Sequence, residues 1–112
     1  MFFKKTHSIN EITAEELSGL LAEGKALVVD VREPNEFAAG HLPGALNQPL
    51  STFNPSTLPA HAGKITVLQC AAGSRSGMAL GKCAAARSQV DTHLAGGIAA
   101  WKAAGFPVVT GK

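Results

Sequence analysis

Apolar positions along the chain follow two unlike patterns, one helical and one continuous. Thr13-Ala14-Glu15-Glu16 has the form of a capping box, and Leu17, Leu20 and Leu21 follow at helical spacing until Gly24. Ala26-Leu27-Val28-Val29-Asp30-Val31 is instead an apolar run with β-branched residues, as expected of a strand covered on both faces in a parallel sheet. Pro34 then stands at a first helical position, and Gly40 closes a short helical turn around Phe37. Residues 41–63, broken by Pro43, Pro49, Pro55 and Pro59, read as a loop-rich connection. Ile65-Thr66-Val67-Leu68-Gln69 is the second buried strand and runs into Cys70, ahead of a helix ending at about Arg87. Thr92-His93-Leu94 predicts a short third strand, and residues 97–104 a helix with Ile98 and Trp101 inward and Gly105 as terminator. Helices alternating with buried strands predict an α/β domain, a central and mostly parallel sheet with helices on both faces.

Composition narrows the task. With 112 residues, 46% hydrophobic and 16% charged, residues 1–112 read as a single domain with its own core and no space for a second. The net charge of +2 argues against broad polyanion binding, so no nucleic-acid partner is expected. The charge is unevenly spread. Residues 1–50 carry four Lys/Arg against seven Asp/Glu, net −3, and residues 51–112 carry six against one, net +5. An anionic ligand is expected to prefer the second half. Cys70 and Cys83 are too few for a disulfide scaffold. The segment Met1 to His7 has no apolar run behind its lysines, so no secretory signal is read there. The uncharged stretch between Glu36 and Lys64 is too rich in proline and polar residues to span a membrane. The expectation is a soluble, cytoplasmic protein with reduced thiols and no membrane partner.

Candidate chemistry gathers at the exit of the second buried strand. In open α/β sheets, ligands bind beyond the carboxyl ends of the strands, where Cys70 stands. A tight small-residue loop can turn its N–H groups inward as an anion nest, and the following helix adds its positive N-terminal end. Both favour thiolate, the reactive form of cysteine. Ala71 and Ala72 leave room inside the ring, Gly73 permits unusual backbone angles, and Arg75 supplies a cationic fork for an oxyanion. A lone cysteine is most often merely buried, but strand exit, glycine, arginine and helix start coincide here.

The remaining polar candidates have plainer readings. Arg32 suits an ion pair with Glu33 or Glu36 at the surface. His41, in Gly-His-Leu-Pro-Gly, reads as a loop histidine held by backbone hydrogen bonds, since a thiolate in a nest needs no base. His7, His61 and His93 share no metal-site spacing with each other or with the cysteines, so no metal is expected. Cys83 shares a helical face with Ala79, Leu80 and Ala84 and reads as core. It lies roughly 12 Å along the helix, too far for a disulfide to Cys70. Trp101 reads as a core anchor.

Three separated segments together resemble the rhodanese family of sulfurtransferases. Residues 29–37 (VDVREPNEF) and Gly40-His41-Leu42-Pro43-Gly44-Ala45 resemble its first signature, Cys70 to Ser76 its active-site loop, and residues 94–101 (LAGGIAAW) with Gly105-Phe106-Pro107-Val108 its C-terminal signature. The resemblance implies that Cys70 takes a sulfane sulfur from thiosulfate or a persulfide donor and passes it to a thiol or cyanide acceptor. It implies that residues 71–75 (Ala71, Ala72, Gly73, Ser74, Arg75) bind the donor, Arg75 through its sulfonate oxygens. Asp30, Arg32 and Ser76 would support the loop. No cofactor is implied beyond the covalent cysteine persulfide. Neutral Ala71, Ala72 and Ser74 depart from the extra basic residues of many thiosulfate users, which turns attention to protein or small-molecule persulfides as donors.

Two rivals belong to other classes. Phosphatases and arsenate reductases of the same fold use a longer Cys-to-Arg loop, whereas only four residues separate Cys70 from Arg75. A catalytically silent interaction module is the other, and its relatives commonly lack the cysteine.

Overall fold

The two continuous apolar runs become the centre of the sheet. The computed structural model describes residues 4–6 and 9–111. Most of the segment Met1 to His7, on which the absence of a secretory signal was read, lies outside the described residues, as does His7 itself. In chain order the elements are β1 (Lys4–Thr6), β2 (Ile9–Ile12), α1 (Ala14–Ala22), β3 (Ala26–Asp30), α2 (Pro34–Ala39), β4 (Leu46–Asn47), β5 (Ile65–Gln69), α3 (Ser74–Ala85), β6 (Thr92–Leu94) and α4 (Gly97–Ala103). Two 3₁₀ turns, Leu50–Thr52 and Pro55–Thr57, lie between β4 and β5.

The strand order is β1-β2-β6-β5-β3-β4. From β2 to β4 all neighbours are parallel, and β1 is antiparallel to β2. The central pair β3 and β5 runs in register from Ala26 opposite Ile65 to Asp30 opposite Gln69. Successive strand residues point to opposite faces, so each run feeds two cores. Val28 and Val67 join Leu17, Phe37, Ile98 and Trp101 beneath α1, α2 and α4. Val29 and Leu68 join Val31, Leu80, Cys70 and Cys83 beneath α3, with Leu50 and Phe53 of the loop packed alongside. Helices therefore cover both faces, as the continuous apolar runs predicted. Each fully buried Val or Leu stabilises this arrangement by roughly 1.5–3 kcal/mol.

Local signals explain the helix starts. Thr13 Oγ1 accepts from the Glu16 N–H at 3.1 Å, and Glu16 Oε1 accepts from the Thr13 N–H at 3.0 Å, the reciprocal box its sequence predicted. Pro34 opens α2, and Glu36 Oε1 accepts the Glu33 N–H. Three elements were not expected. β1 and β2 form one edge, and β4 pairs with the end of β3, where Asn47 Nδ2 donates to the carbonyls of Asp30 and Arg32. The helix expected to reach about Arg87 ends at Ala85, because Arg87 adopts a left-handed φ of 57°. Ala84 is exposed, so the buried face of α3 is Ser76, Ala79, Leu80 and Cys83. Among the described residues, no helix is long and apolar enough to cross a membrane.

Candidate active site

Because β5 lies in the middle of the sheet, the chain leaving it emerges at the centre of the carboxyl edge. Cys70 is the first residue beyond β5, and α3 begins at Ser74. The loop between them closes because Gly73, the residue capping α3, adopts φ 110°, a conformation that a side chain disfavours. That turn aims the Gly73 N–H at Cys70 Sγ, 3.0 Å away. The Ser76 hydroxyl lies 3.4 Å from the same sulfur. Burial pushes the Cys70 thiol up, but the Ser76 hydroxyl and the backbone N–H groups of Ser76, Gly73 and Ala72 outweigh it and hold the thiol below its ordinary 9.0.

A second helix holds the loop from behind. The α4 N–H groups of Ile98 and Ala99 donate to the carbonyls of Cys70 at 2.9 Å and Ala71 at 3.1 Å. These are orphan donors of a helix start, spent on fixing loop carbonyls outward so that loop N–H groups face in. The approach requires Gly97. A Cβ there would sit 2.6 Å from the Ala71 oxygen and collide with the Cys70 carbonyl as well, on a backbone with φ 59°. Gly97 thus has a mechanical role in shaping the cysteine loop, whereas a Cβ on Gly96 would meet Ala100 of α4 itself.

The flanking residues take definite places. Ala72 and Ser74 are exposed at the mouth, and Ala71, Gly73 and Arg75 are half-buried. Arg75 does not point its fork freely into the loop. Its Nη1 and Nη2 donate to Glu36 Oε1 at 2.6 Å and Oε2 at 2.9 Å, tying α2 to the start of α3. Arg75 in turn holds the Glu36 carboxyl down at about 2. The surface pairing expected as one alternative for Arg32 does not form. Arg32 is buried, its Nε and Nη2 donate to the Asp30 carboxylate, and Nη2 also donates to the Gly40 carbonyl at 2.6 Å. Glu33 and Glu36 are not its partners. Asp30 and Arg32 brace the end of β3, and the Val31 N–H donates to the Gln69 carbonyl beside Cys70.

His41 behaves as its motif suggested. Its Nδ1 lies 2.8 Å from the Phe37 carbonyl, its ring stacks on Phe37, and its backbone exchanges hydrogen bonds with Val109. Trp101 is a core anchor whose Nε1 donates to the Pro107 carbonyl. Sequence reasoning missed a different histidine. His93 Nδ1 lies 2.8 Å from Ser76 Oγ, and His93 Nε2 lies 3.5 Å from Glu11 Oε2. No local motif joins residues 11, 76 and 93. The one available signal is a histidine inside an otherwise apolar short strand.

The family model described as a rhodanese-like domain matches residues 13–104. An uncharacterised protein of Synechocystis is 45% identical over 101 residues, covering 90% of this chain and 56% of the relative. A sulfurtransferase of Allochromatium vinosum is 36% identical over 105 residues, covering 90% of this chain and 95% of the relative. Among solved structures, a rhodanese-related protein of Thermoplasma volcanium superposes with a TM-score of 0.74 at 29% identity, covering 88% of this chain and 96% of that one. The chain thus spans little more than half of the Synechocystis protein and nearly all of the other two.

Proposed function

The chain belongs to the rhodanese-like family, and from that premise we propose that it is a sulfurtransferase whose sulfur carrier is Cys70. The observation that carries this reading is the Gly73 N–H donating to Cys70 Sγ in a loop whose carbonyls face away. A thiolate in that position is stabilised, and the inward N–H groups of the loop would also face the charge of a persulfide's outer sulfur one bond further out. In the first step Cys70 thiolate attacks the outer sulfur of the donor. A new S–S bond forms, the donor's own bond to that sulfur breaks, and thiosulfate would leave as sulfite. In the second step an acceptor thiolate or cyanide attacks the outer sulfur of the Cys70 persulfide, and the Cys70 thiolate returns as leaving group. The transfer needs no further cofactor, because the cysteine carries the sulfur. No metal takes part in it.

Residues 71–75 would receive the donor. Glu36 occupies the Arg75 fork and offsets its charge, so a dianionic donor meets backbone N–H groups with little free cation beside them. This favours persulfide donors over thiosulfate, in keeping with the neutral Ala71, Ala72 and Ser74. The same pairing disfavours phosphatase chemistry, which needs an arginine fork on the bound oxyanion. We place the protein in the cytoplasm, where thiol acceptors are reduced. Intact-mass measurement after incubation with thiosulfate or a glutathione persulfide should show one added sulfur on the wild type and none on Cys70→Ser. The same added mass on the variant would remove Cys70 as carrier.

A further inference from the structure

We propose that Ser76, His93 and Glu11 form a proton relay that takes up the Cys70 proton inside the fold, generating the thiolate without a base at the mouth of the loop. The proposal rests on Cys70 being the nucleophile, but its test reads thiol reactivity and not sulfur transfer. Ser76 Oγ has one proton and three polar neighbours: Cys70 Sγ at 3.4 Å, the Gly73 carbonyl at 3.3 Å and His93 Nδ1 at 2.8 Å. The shortest of these contacts is to the histidine.

With Cys70 protonated, its S–H donates to Ser76 Oγ and the Ser76 O–H donates to His93 Nδ1. His93 Nε2–H then points to the Glu11 carboxylate, 3.5 Å away. In the transfer the S–H bond breaks as a new O–H bond forms, and the original hydroxyl proton passes to Nδ1. The products are a Cys70 thiolate, an intact Ser76 hydroxyl now directed at the sulfur, and a His93 imidazolium between Ser76 and Glu11. His93 sits on β6 beside Leu68 of β5, with Ser76 and Gly77 of α3 above it and Glu11 of β2 at its other side. Among the described residues, the charged groups facing it are Glu11 and, across Ser76, Cys70. Lys4 is the register partner of Glu11 on β1. Burial pulls the His93 imidazole below its ordinary 6.5 and Glu11 pulls it back up, so the ring is an acceptor near neutrality.

Coupled groups of this kind titrate as a pair. Rates of Cys70 alkylation by iodoacetamide between pH 5 and 10, followed by intact mass, should show two inflections in the wild type with a plateau between them. His93→Asn should leave one inflection at higher pH, with reactivity near pH 7 lower by on the order of tenfold. Glu11→Gln should keep both inflections but lower the plateau about threefold or more, because the imidazolium loses its carboxylate. Profiles of both variants superimposing on the wild type would overturn the relay. If His93→Asn does not fold, Glu11→Gln decides alone, since Glu11 lies at the surface with 39% of its side chain accessible. Wild type that shows the two inflections but acquires no sulfur counts against sulfur transfer and leaves the relay standing.

Discussion

Cys70 and Cys83 are both free, both buried, and both packed in the same apolar cluster beneath α3. Their thiols nevertheless move in opposite directions. Cys83 is pushed above 9.0 by burial, with a weaker opposing hydrogen bond from Ser88. Cys70 is equally enclosed but meets directed donors from the Gly73 N–H and the Ser76 hydroxyl, and falls below 9.0. Burial alone makes a cysteine inert. The loop, by aiming fixed N–H groups at one sulfur, turns the same surroundings into an anion site. The contrast within one core also shows why neither burial nor residue type identifies a reactive thiol.

The largest expected effect breaks the pair apart. Cys83→Ala should retain full persulfide formation while Cys70→Ser retains none, and limited alkylation at neutral pH should mark Cys70 alone. Peptide mapping that finds Cys83 modified first would erase the distinction.

Gly97→Ala attacks the contrast from behind the loop, since its Cβ meets the Cys70 and Ala71 carbonyls on a left-handed backbone. Thermal or denaturant unfolding should show a loss of about 2 kcal/mol or more. Alkylation of Cys70 in the folded variant should slow by about tenfold as the loop N–H groups turn away.

A smaller effect appears on the alkaline limb of stability. The raised Cys83 thiol contributes stability that is present below 9.0 and lost as pH rises through its higher folded value. The lowered Cys70 thiol contributes stability that is present above 9.0 and lost as pH falls through its lower folded value. Denaturation midpoints between pH 7 and 10 should therefore decline less steeply in Cys83→Ala and more steeply in Cys70→Ser than in wild type. Parallel curves for all three would deny the opposite shifts.

The smallest effect lies at the rim. Glu36, held at about 2 against an ordinary 4.5, contributes stability present above 4.5 and lost as pH falls through about 2. Both partners are about one-third exposed, so solvent screening limits this to about 1 kcal/mol or less. Glu36→Gln should flatten that acid limb in urea titrations and, by freeing the Arg75 fork, lower the KM for thiosulfate by about threefold. An unchanged KM would take Arg75 out of donor binding.

The elements readable from sequence were those whose signal is local. Ala26–Asp30 and Ile65–Gln69 are continuous apolar runs, Thr13 to Glu16 caps itself, and Cys70 stands where a strand hands over to a helix. What escaped was set by partners distant in the chain. Ile9–Ile12 and Leu46–Asn47 are strands because β6 and β3 offer them edges, not because their own patterns demand it. Arg75 pairs with Glu36 and His93 with Ser76 and Glu11, and such pairings follow only from the register of the sheet and the docking of α3. Arg32 differs, because its partner Asp30 is only two residues earlier; what the sequence does not show is that both turn inward at the end of β3.

The clamp of α4 on the loop carries one further consequence, for molecular shape. With the Cys70 and Ala71 carbonyls pinned by Ile98 and Ala99, the loop cannot spread to admit a broad molecule, and Cys70 itself is only 1% accessible. On the proposed transfer, sulfur would therefore have to reach Cys70 at the tip of something slender.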